Sequence, residues 1–366
     1  MSSELPDHRP RGLVAVKVLF LTQGPETSPS PRYRVYQLLP ELKKHGITGV
    51  VSPVTSRRVG DILRQRRADI ARAREFDVVF VQKGITPGIA ALFEERLAAV
   101  RPVVFDLDDA IWLPRRGGNP VLRWLHREST VQRALRCASA VIAGSPFLAD
   151  YARQFNPQVT VVPSAIDLAR YPFPHRSRGP ATIQSNSLEG GRPRPPTGAI
   201  GWIGSRTTLP YLAPLGPVFQ QLGITPLVIA SGNPAKLGFA VDFRQWRLET
   251  ELADLAQIGI GVAPLTDSPW ERGKCAVKLL QYLACGIPVV ASPVGVHTDI
   301  VQDGVNGFLA RDESEWTEKL RQLLNDPALC HRLGAAGRRT VEEHYALDKI
   351  ASKVAGVLHD VVKGKL

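Results

Sequence analysis

Short apolar runs alternate along the chain with longer stretches whose apolar positions recur every three to four residues. The runs Lys17–Leu21, Gly49–Val54, Asp77–Val81, Pro102–Asp106, Ala140–Ala143 and Val159–Pro163 are rich in Val and Ile. Each is apolar at successive positions, the pattern of a parallel strand covered on both faces. Between them, Pro87–Ala99 and Val121–Arg136 carry the period of an amphipathic helix. This βαβ alternation predicts a doubly wound sheet over residues 15–172.

The periodicity then stops. Residues 173–197 (FPHRSRGPATIQSNSLEGGRPRPPT) are rich in Pro, Gly, Ser and Arg and read as a linker or exposed loop. The alternation restarts over 198–346. Strands are predicted at Ala199–Ile203, Pro226–Ala230, Ile258–Pro264 and Pro288–Ser292, and helices at Thr208–Leu222, Ala276–Cys285, Ser314–Leu324 and Pro327–Glu343. The closing stretch Leu347–Val362 puts Leu347, Ile350, Ala351, Val354, Val357, Leu358 and Val361 on one helix face. Residues 1–14 lack the apolar core of a secretion signal and read as a disordered tail.

Composition narrows the class. At 366 residues, 44% hydrophobic and 22% charged, the chain suits two globular domains. No apolar run approaches the roughly 18 residues of a membrane span. Cys137, Cys275, Cys285 and Cys330 match no zinc spacing and are too few for a disulfide framework, so a reducing, cytoplasmic setting is expected. The net charge is +12, and residues 1–172 hold 25 basic against 16 acidic side chains. Such a bias suits an anionic partner.

In doubly wound sheets, ligands lie beyond the carboxyl ends of the strands. After the first strand, Gly24 and a Ser/Pro-rich turn lead to a helix whose start carries Arg32 and Arg34. They suit an anionic ligand and read equally as solvated arginines. The fourth strand runs into Asp106, Asp108 and Asp109. Three carboxylates there repel unless hydrogen-bonded or faced by cations. Catalysis, loop capping and a hard-cation site are the readings.

In the second half, Gly201 and Gly204 flank a strand end and Ser205, Thr207 and Thr208 can cap the next helix, which makes a phosphate cradle or an ordinary β–turn–α unit. Lys274 and Lys278, four apart, are predicted to share one helix face with Gln281 nearby. Lysine between Val277 and Leu279 is costly to bury unless paired, which favours a diphosphate ligand.

Four segments carry a resemblance: RGKCAVKLLQYLACGIPVVASPVGVHTDIVQDGVNGFL, IGWIGSRTTLPYL, VVPSAIDLARY and VIAGSPFLADY. They resemble glycosyltransferase family 4, of the GT-B fold: two Rossmann-like doubly wound domains facing a cleft. The resemblance covers about residues 15–362 apart from the linker. It implies transfer of a sugar from a nucleotide-diphosphate sugar to an acceptor hydroxyl, with retention, without a metal or other required cofactor. It places the donor mainly on the second domain, with Gly204, Ser205, Arg206, Lys274 and Lys278 near the diphosphate and Gln281 near the ribose. Gly295, Val296, His297 and Thr298 would form a backbone loop beside the donor. Asp108 would stand where many members carry a histidine, and Asp108 or Asp109 would act on the sugar or acceptor. Gly24, Arg32 and Arg34 would lie on the acceptor or phosphate side. The helix from Leu347 would cross back onto the first domain. The family's two glutamates are replaced by Gly273 and Gln281, and the lysine pair with DLDDAIW resembles a distinct branch.

Residues 55–75 hold seven arginines, Arg57 to Arg74. They suit an anionic membrane surface or a lipid-linked or glycan acceptor, giving peripheral attachment at the inner membrane face, or else form a solvated basic helix. Trp112 and Trp124 are candidates for an acceptor site. No nucleic-acid motif is present. The other readings are a nucleotide-sugar epimerase of this fold and a non-catalytic nucleotide or sugar binder.

Overall fold

The computed structural model describes residues 15–56, 58–84, 91–113, 128–171 and 198–366. The expected tail and linker, Arg57 and Trp124 lie outside them. The chain divides into two compact units. One takes the chain to Ala165, the short segment Gly273–Cys275 and Leu347–Leu366. The other takes Ile166–Arg272 and Ala276–Ala346.

The first unit runs β1 (Val16–Thr22), α1 (Pro29–Arg34), α2 (Leu39–Lys44), β2 (Ile47–Pro53), α3 (Val59–Arg72), β3 (Val78–Gln82), α4 (Ala91–Ala98) and β4 (Val103–Leu107). It continues with α5 (Glu128–Cys137), β5 (Ala140–Ala143), α6 (Pro146–Arg153) and β6 (Val159–Val161). The strands form one parallel sheet in the order β2-β1-β3-β4-β5-β6, so the strand order reverses between β1 and β3. β3 and β4 are buried at every position, as their apolar runs predict. β2 departs from that expectation: as an edge strand it exposes Thr48, Gly49 and Val50.

The second unit runs β7 (Ala199–Gly204), α7 (Gly216–Leu222), β8 (Leu227–Ala230), β9 (Asp242–Gln245), α8 (Glu251–Leu255), β10 (Ile258–Ala263) and α9 (Pro269–Arg272). Then follow α10 (Val277–Ala284), β11 (Val289–Ala291), α11 (His297–Ile300), β12 (Phe308–Leu309), α12 (Glu313–Asn325) and α13 (Pro327–His344). Its parallel sheet has the order β12-β11-β10-β7-β8-β9, with the reversal between β7 and β10. The single helix expected over Thr208–Leu222 is instead a 3-10 stretch, Leu209–Leu215, followed by α7. Pro210, Pro214 and Pro217 remove the amides a continuous α-helix would need.

Helix α14 (Leu347–Val362) belongs to the first unit. Its Ile350, Ala351, Val354 and Leu358 join Val18, Phe20 and Val78 in one core. Each large side chain buried there contributes about 1.5–3 kcal/mol, and the His359 ring N–H donates to the His45 carbonyl at 2.9 Å. In the second unit the core gathers Trp202, Phe219, Val262, Trp316 and Leu320. The four cysteines are unbridged, and Cys330 is fully in the core.

Candidate active site

In the first unit, the carboxyl ends of β1, β3 and β4 bring together a network of charged and polar side chains. Asp106 is fully buried and pairs with the Arg34 guanidinium, which also donates to the Val162 carbonyl at 2.6 Å. Burial opposes the guanidinium charge, yet Asp106 outweighs it and holds the Arg34 pKa above its ordinary value. Arg32 and Arg34 therefore correct two expectations. They lie in the last turn of α1, not at a helix start, and both are buried rather than solvated. Arg32 donates to the Tyr33 hydroxyl at 3.0 Å. Gly24 is buried in the turn after β1, its carbonyl accepting from Thr22 Oγ1 at 2.9 Å.

Asp108 and Asp109 follow β4 and share a cation that sequence reasoning missed. Lys83 Nζ lies 3.1 Å from Asp108 Oδ1 and 2.5 Å from Asp109 Oδ2. Lys274 Nζ adds a second contact to Asp109 at 3.3 Å. Burial alone would raise the Asp109 pKa, but Lys83 and Lys274 outweigh it and bring it down to about 2. The other oxygen of Asp108 accepts from Ser30 Oγ, and Gln82 Nε2 donates to Ser30 at 2.6 Å. The Asp108 carbonyl accepts from the Cys275 thiol at 3.2 Å. Burial pushes that thiol's pKa up, with Asp108 acting in the same direction, so Cys275 is an inert thiol. The mutual repulsion expected of the carboxylates is thus relieved by cations and hydroxyl donors. Among the described residues no group of His, Cys, Asp and Glu has the arrangement of a metal site.

Lys83 left a faint trace in the sequence: a charged residue ending the buried run VVFVQ, followed by Gly84. Beyond Asp109, Trp112 stacks on Tyr151 with ring centroids 3.7 Å apart.

In the second unit, β7 ends at Gly204, beside the reversal of strand order. A Cβ at Gly204 would lie 2.4 Å from the Trp202 ring, so only glycine lets the backbone pass. Ser205 N–H donates to Thr208 Oγ1 at 3.1 Å, and Arg206 N–H donates to Ser231 Oγ at 3.0 Å. The Arg206 side chain is exposed.

Lys274 and Lys278 do not share a helix face. Ala276 adopts a left-handed conformation (φ 51°), and α10 begins only at Val277, so Lys278 alone sits in its first turn. The partly buried Lys278 places its ammonium 3.9 Å from the centre of the Trp202 ring. Gln281 is buried and donates to the Tyr171 hydroxyl at 3.2 Å. Helix α10 stops as expected at Cys285, with Gly286 in the left-handed conformation (φ 68°).

Gly295 has φ 55°, and a Cβ there would meet the Arg272 carbonyl oxygen at 2.6 Å. Val296 and His297 are buried, and Thr298 is exposed with its hydroxyl donating to the Gly295 carbonyl at 2.8 Å. His297 Nδ1 donates to the Ser292 carbonyl at 3.0 Å. Burial lowers the His297 pKa to about 4, with the Lys278 charge contributing in the same direction. The imidazole is therefore neutral at pH 7.

Within the basic stretch, Val59–Arg72 forms α3, Arg58 precedes it and Arg74 lies in the 3-10 turn that follows. Arg58, Arg64, Arg67, Arg72 and Arg74 are exposed, whereas Arg66 is buried against Asp69 at 2.8 Å. No described helix is long and apolar enough to cross a membrane.

The family described as Glycosyl transferase 4-like domain matches residues 9–165, and that described as Glycosyl transferases group 1 matches 225–326. A stretch covering 25% of this chain is 30% identical over 95 residues to the N-acetyl-alpha-D-glucosaminyl L-malate synthase of Bacillus anthracis. A stretch covering 36% is 30% identical over 134 residues to the D-inositol 3-phosphate glycosyltransferase of Streptomyces bingchenggensis. These alignments span 25% and 28% of the two relatives' lengths. Anabaena HepE, crystallised with UDP and glucose, superposes with a TM-score of 0.68 over 94% of this chain and 100% of its own, at 18% identity. The sucrose-phosphate synthase of Thermosynechococcus elongatus superposes with a TM-score of 0.72 over 95% of this chain and 100% of its own, at 15% identity.

Proposed function

Since the chain belongs to the family 4-like glycosyltransferases of the GT-B fold, we propose that it moves a sugar from a nucleotide-diphosphate sugar to an acceptor hydroxyl, with retention, in glycan or glycoconjugate synthesis. The observation that carries the donor half is Lys278, partly buried over Trp202 in the first turn of α10. An ammonium group on an aromatic face, beside helix amides, suits a diphosphate. UDP is the nucleotide to test first, because HepE was crystallised with UDP and glucose.

In this reading the bond between the anomeric carbon and the diphosphate oxygen breaks, and a bond to the acceptor oxygen forms. Negative charge grows on the departing diphosphate, where Lys278, the 204–206 loop and the 295–298 loop stabilise it. Those groups supply the positive charge that a metal would otherwise bring. Gln281 would contact the ribose, given a rearrangement of its bond to Tyr171. Retention brings the acceptor onto the face the diphosphate leaves, so the acceptor proton passes to the departing phosphate oxygen. Asp108 and Asp109, acceptor groups at the end of β4, would orient the hydroxyl and stabilise the cationic sugar. Lys274 is assigned to Asp109 first and to the donor phosphates second. Gly24 shapes the turn, Arg34 would act on the acceptor side through the Asp106 network it braces, and Arg32 would lie on that side too.

The five exposed arginines, from Arg58 to Arg74, would dock the enzyme on the anionic inner face of a membrane, where lipid-linked acceptors reside. The test is nucleotide release from UDP-sugars, with EDTA present, in the wild type and Lys278→Ala. Release that EDTA spares and the substitution weakens supports the reading. Release abolished by EDTA would refute the metal-free donor site.

A further inference from the structure

We infer that Lys83 is a positioning residue for the transfer reaction, fixing the direction of the Asp108 and Asp109 carboxylates and keeping Asp109 charged; the inference rests on the function proposed above.

Three observations converge on it. The first is backbone conformation. Lys83 has φ 58°, the left-handed region that a residue with a Cβ rarely adopts. Only Lys83 and Ala276 do so among the described non-glycine residues. If the chain needed only a turn here, glycine would serve better.

The second is how the turn is held. Lys83 N–H donates to the Asp106 carbonyl at 2.8 Å. Gln23 Nε2, from the loop after β1, donates to the carbonyls of Lys83 and Gly84 at 3.1 and 2.9 Å. These bonds pin the turn at the point where the strand order reverses, where such sheets bind ligands.

The third is what the side chain does. It is only 11% exposed, and its ammonium meets both carboxylates. Burial works against its charge, yet the two aspartates outweigh that and hold the Lys83 pKa above the ordinary lysine value.

Among the described residues, the charged and titratable neighbours of the pair are Lys83 at the end of β3, Lys274 and Cys275, Asp106 on β4, and Arg34 on α1. Arg34 is committed to Asp106. Lys274 meets Asp109 at the longer distance. Among the described residues, Lys83 is thus the cation whose ammonium meets both carboxylates. Without it, a carboxylate of the buried pair would bind a proton at a higher pH than it does now. It would then lose the charge that stabilises a cationic sugar.

The test compares Lys83→Met, Lys83→Gly and Lys83→Arg in the full chain. Glycine removes the ammonium while relieving the left-handed backbone, so a defect in that variant does not come from strain. The aspartate carboxyl carbons are titrated by NMR with 13C-labelled aspartate, and Asp108→Asn and Asp109→Asn assign the two signals. This readout needs no activity. In the Met and Gly variants Asp109 is expected to titrate about one pH unit or more higher. The Arg variant is expected to stay near wild type. In kinetics, the acid limb of kcat/KM is expected to move up with the titration. kcat should fall about tenfold or more, with the donor KM little changed. An unmoved titration in both neutral variants overturns the inference, whether or not the enzyme is active. A moved titration with unchanged kcat and pH profile overturns the positioning role. A moved titration in a protein that transfers from no nucleotide sugar refutes the transfer reading and leaves the ion-pair assignment standing.

Discussion

The Lys278 ammonium lies 3.9 Å from the centre of the Trp202 indole, and Trp202 is fully buried at the centre of its sheet. A strand residue thereby fixes the place of a helix cation. Lys278→Ala is expected to weaken nucleotide-diphosphate affinity by about 1.5–3 kcal/mol, the range for a hydrogen bond to a charged group. The melting temperature of the unliganded protein should change little. Calorimetric titration checks the affinity, and equal affinity in the two proteins would remove Lys278 from the donor site.

Asp108→Asn keeps the size of the side chain and its bond from Ser30. Donor affinity is expected to stay within about twofold, while kcat falls about a hundredfold. Steady-state kinetics with a fixed acceptor separates the two. Unchanged kcat would take Asp108 out of the reaction.

Arg34→Met leaves the Asp106 carboxylate buried and alone in the first sheet. Breaking a buried pair from one side costs about 3–5 kcal/mol. Urea denaturation is expected to show that loss. A change below about 1 kcal/mol would mean the pair is dispensable to the fold.

His297 predicts a pH dependence of stability. Its pKa is about 4 in the folded chain, against 6.5 as the ordinary value. Between those values the unfolded chain binds a proton that the folded chain refuses. Stability therefore rises with pH across that window and is lost as pH falls through it. His297→Gln should flatten this segment of the stability profile, measured by denaturation at a series of pH values. An identical slope in the variant would show that His297 is not the group responsible.

The exposed face of α3 predicts salt-sensitive binding to vesicles containing phosphatidylserine. Replacing Arg64, Arg67 and Arg72 with Gln should cost about 1 kcal/mol per arginine. Arg66→Gln should not act through the vesicle surface, since Arg66 is buried against Asp69. Vesicle sedimentation measures both. Equal partitioning of the triple variant and wild type would discard the membrane role.

Much of the fold was legible because buried parallel strands carry a strong local signal. Ala140–Ala143 is found at its expected bounds, and the apolar face expected of Leu347–Val362 is buried as a helix face. The edge strand β9 was missed because Asp242–Gln245 is largely exposed and carries no apolar run. The 3-10 stretch carries the apolar spacing of an α-helix, and only its prolines set it apart. Among the candidate residues, the sequence singled out Asp108, Asp109, Lys274 and Lys278, but not that Lys274 meets Asp109 and Lys278 meets Trp202. Lys274 is separated from Lys278 by a left-handed alanine, which no spacing rule reveals. Lys83 and Ser30 meet Asp108 only through the sheet, across sequence separations that a linear reading does not connect.

The most direct measurement is calorimetric titration of the protein with UDP, GDP, ADP, dTDP and CDP in the presence of EDTA, repeated with Lys278→Ala. The account predicts saturable one-site binding of one of these nucleotides, UDP first among them, and marked loss of that binding in the variant. Binding of none, or equal binding by both proteins, would contradict a metal-free donor site built on Lys278.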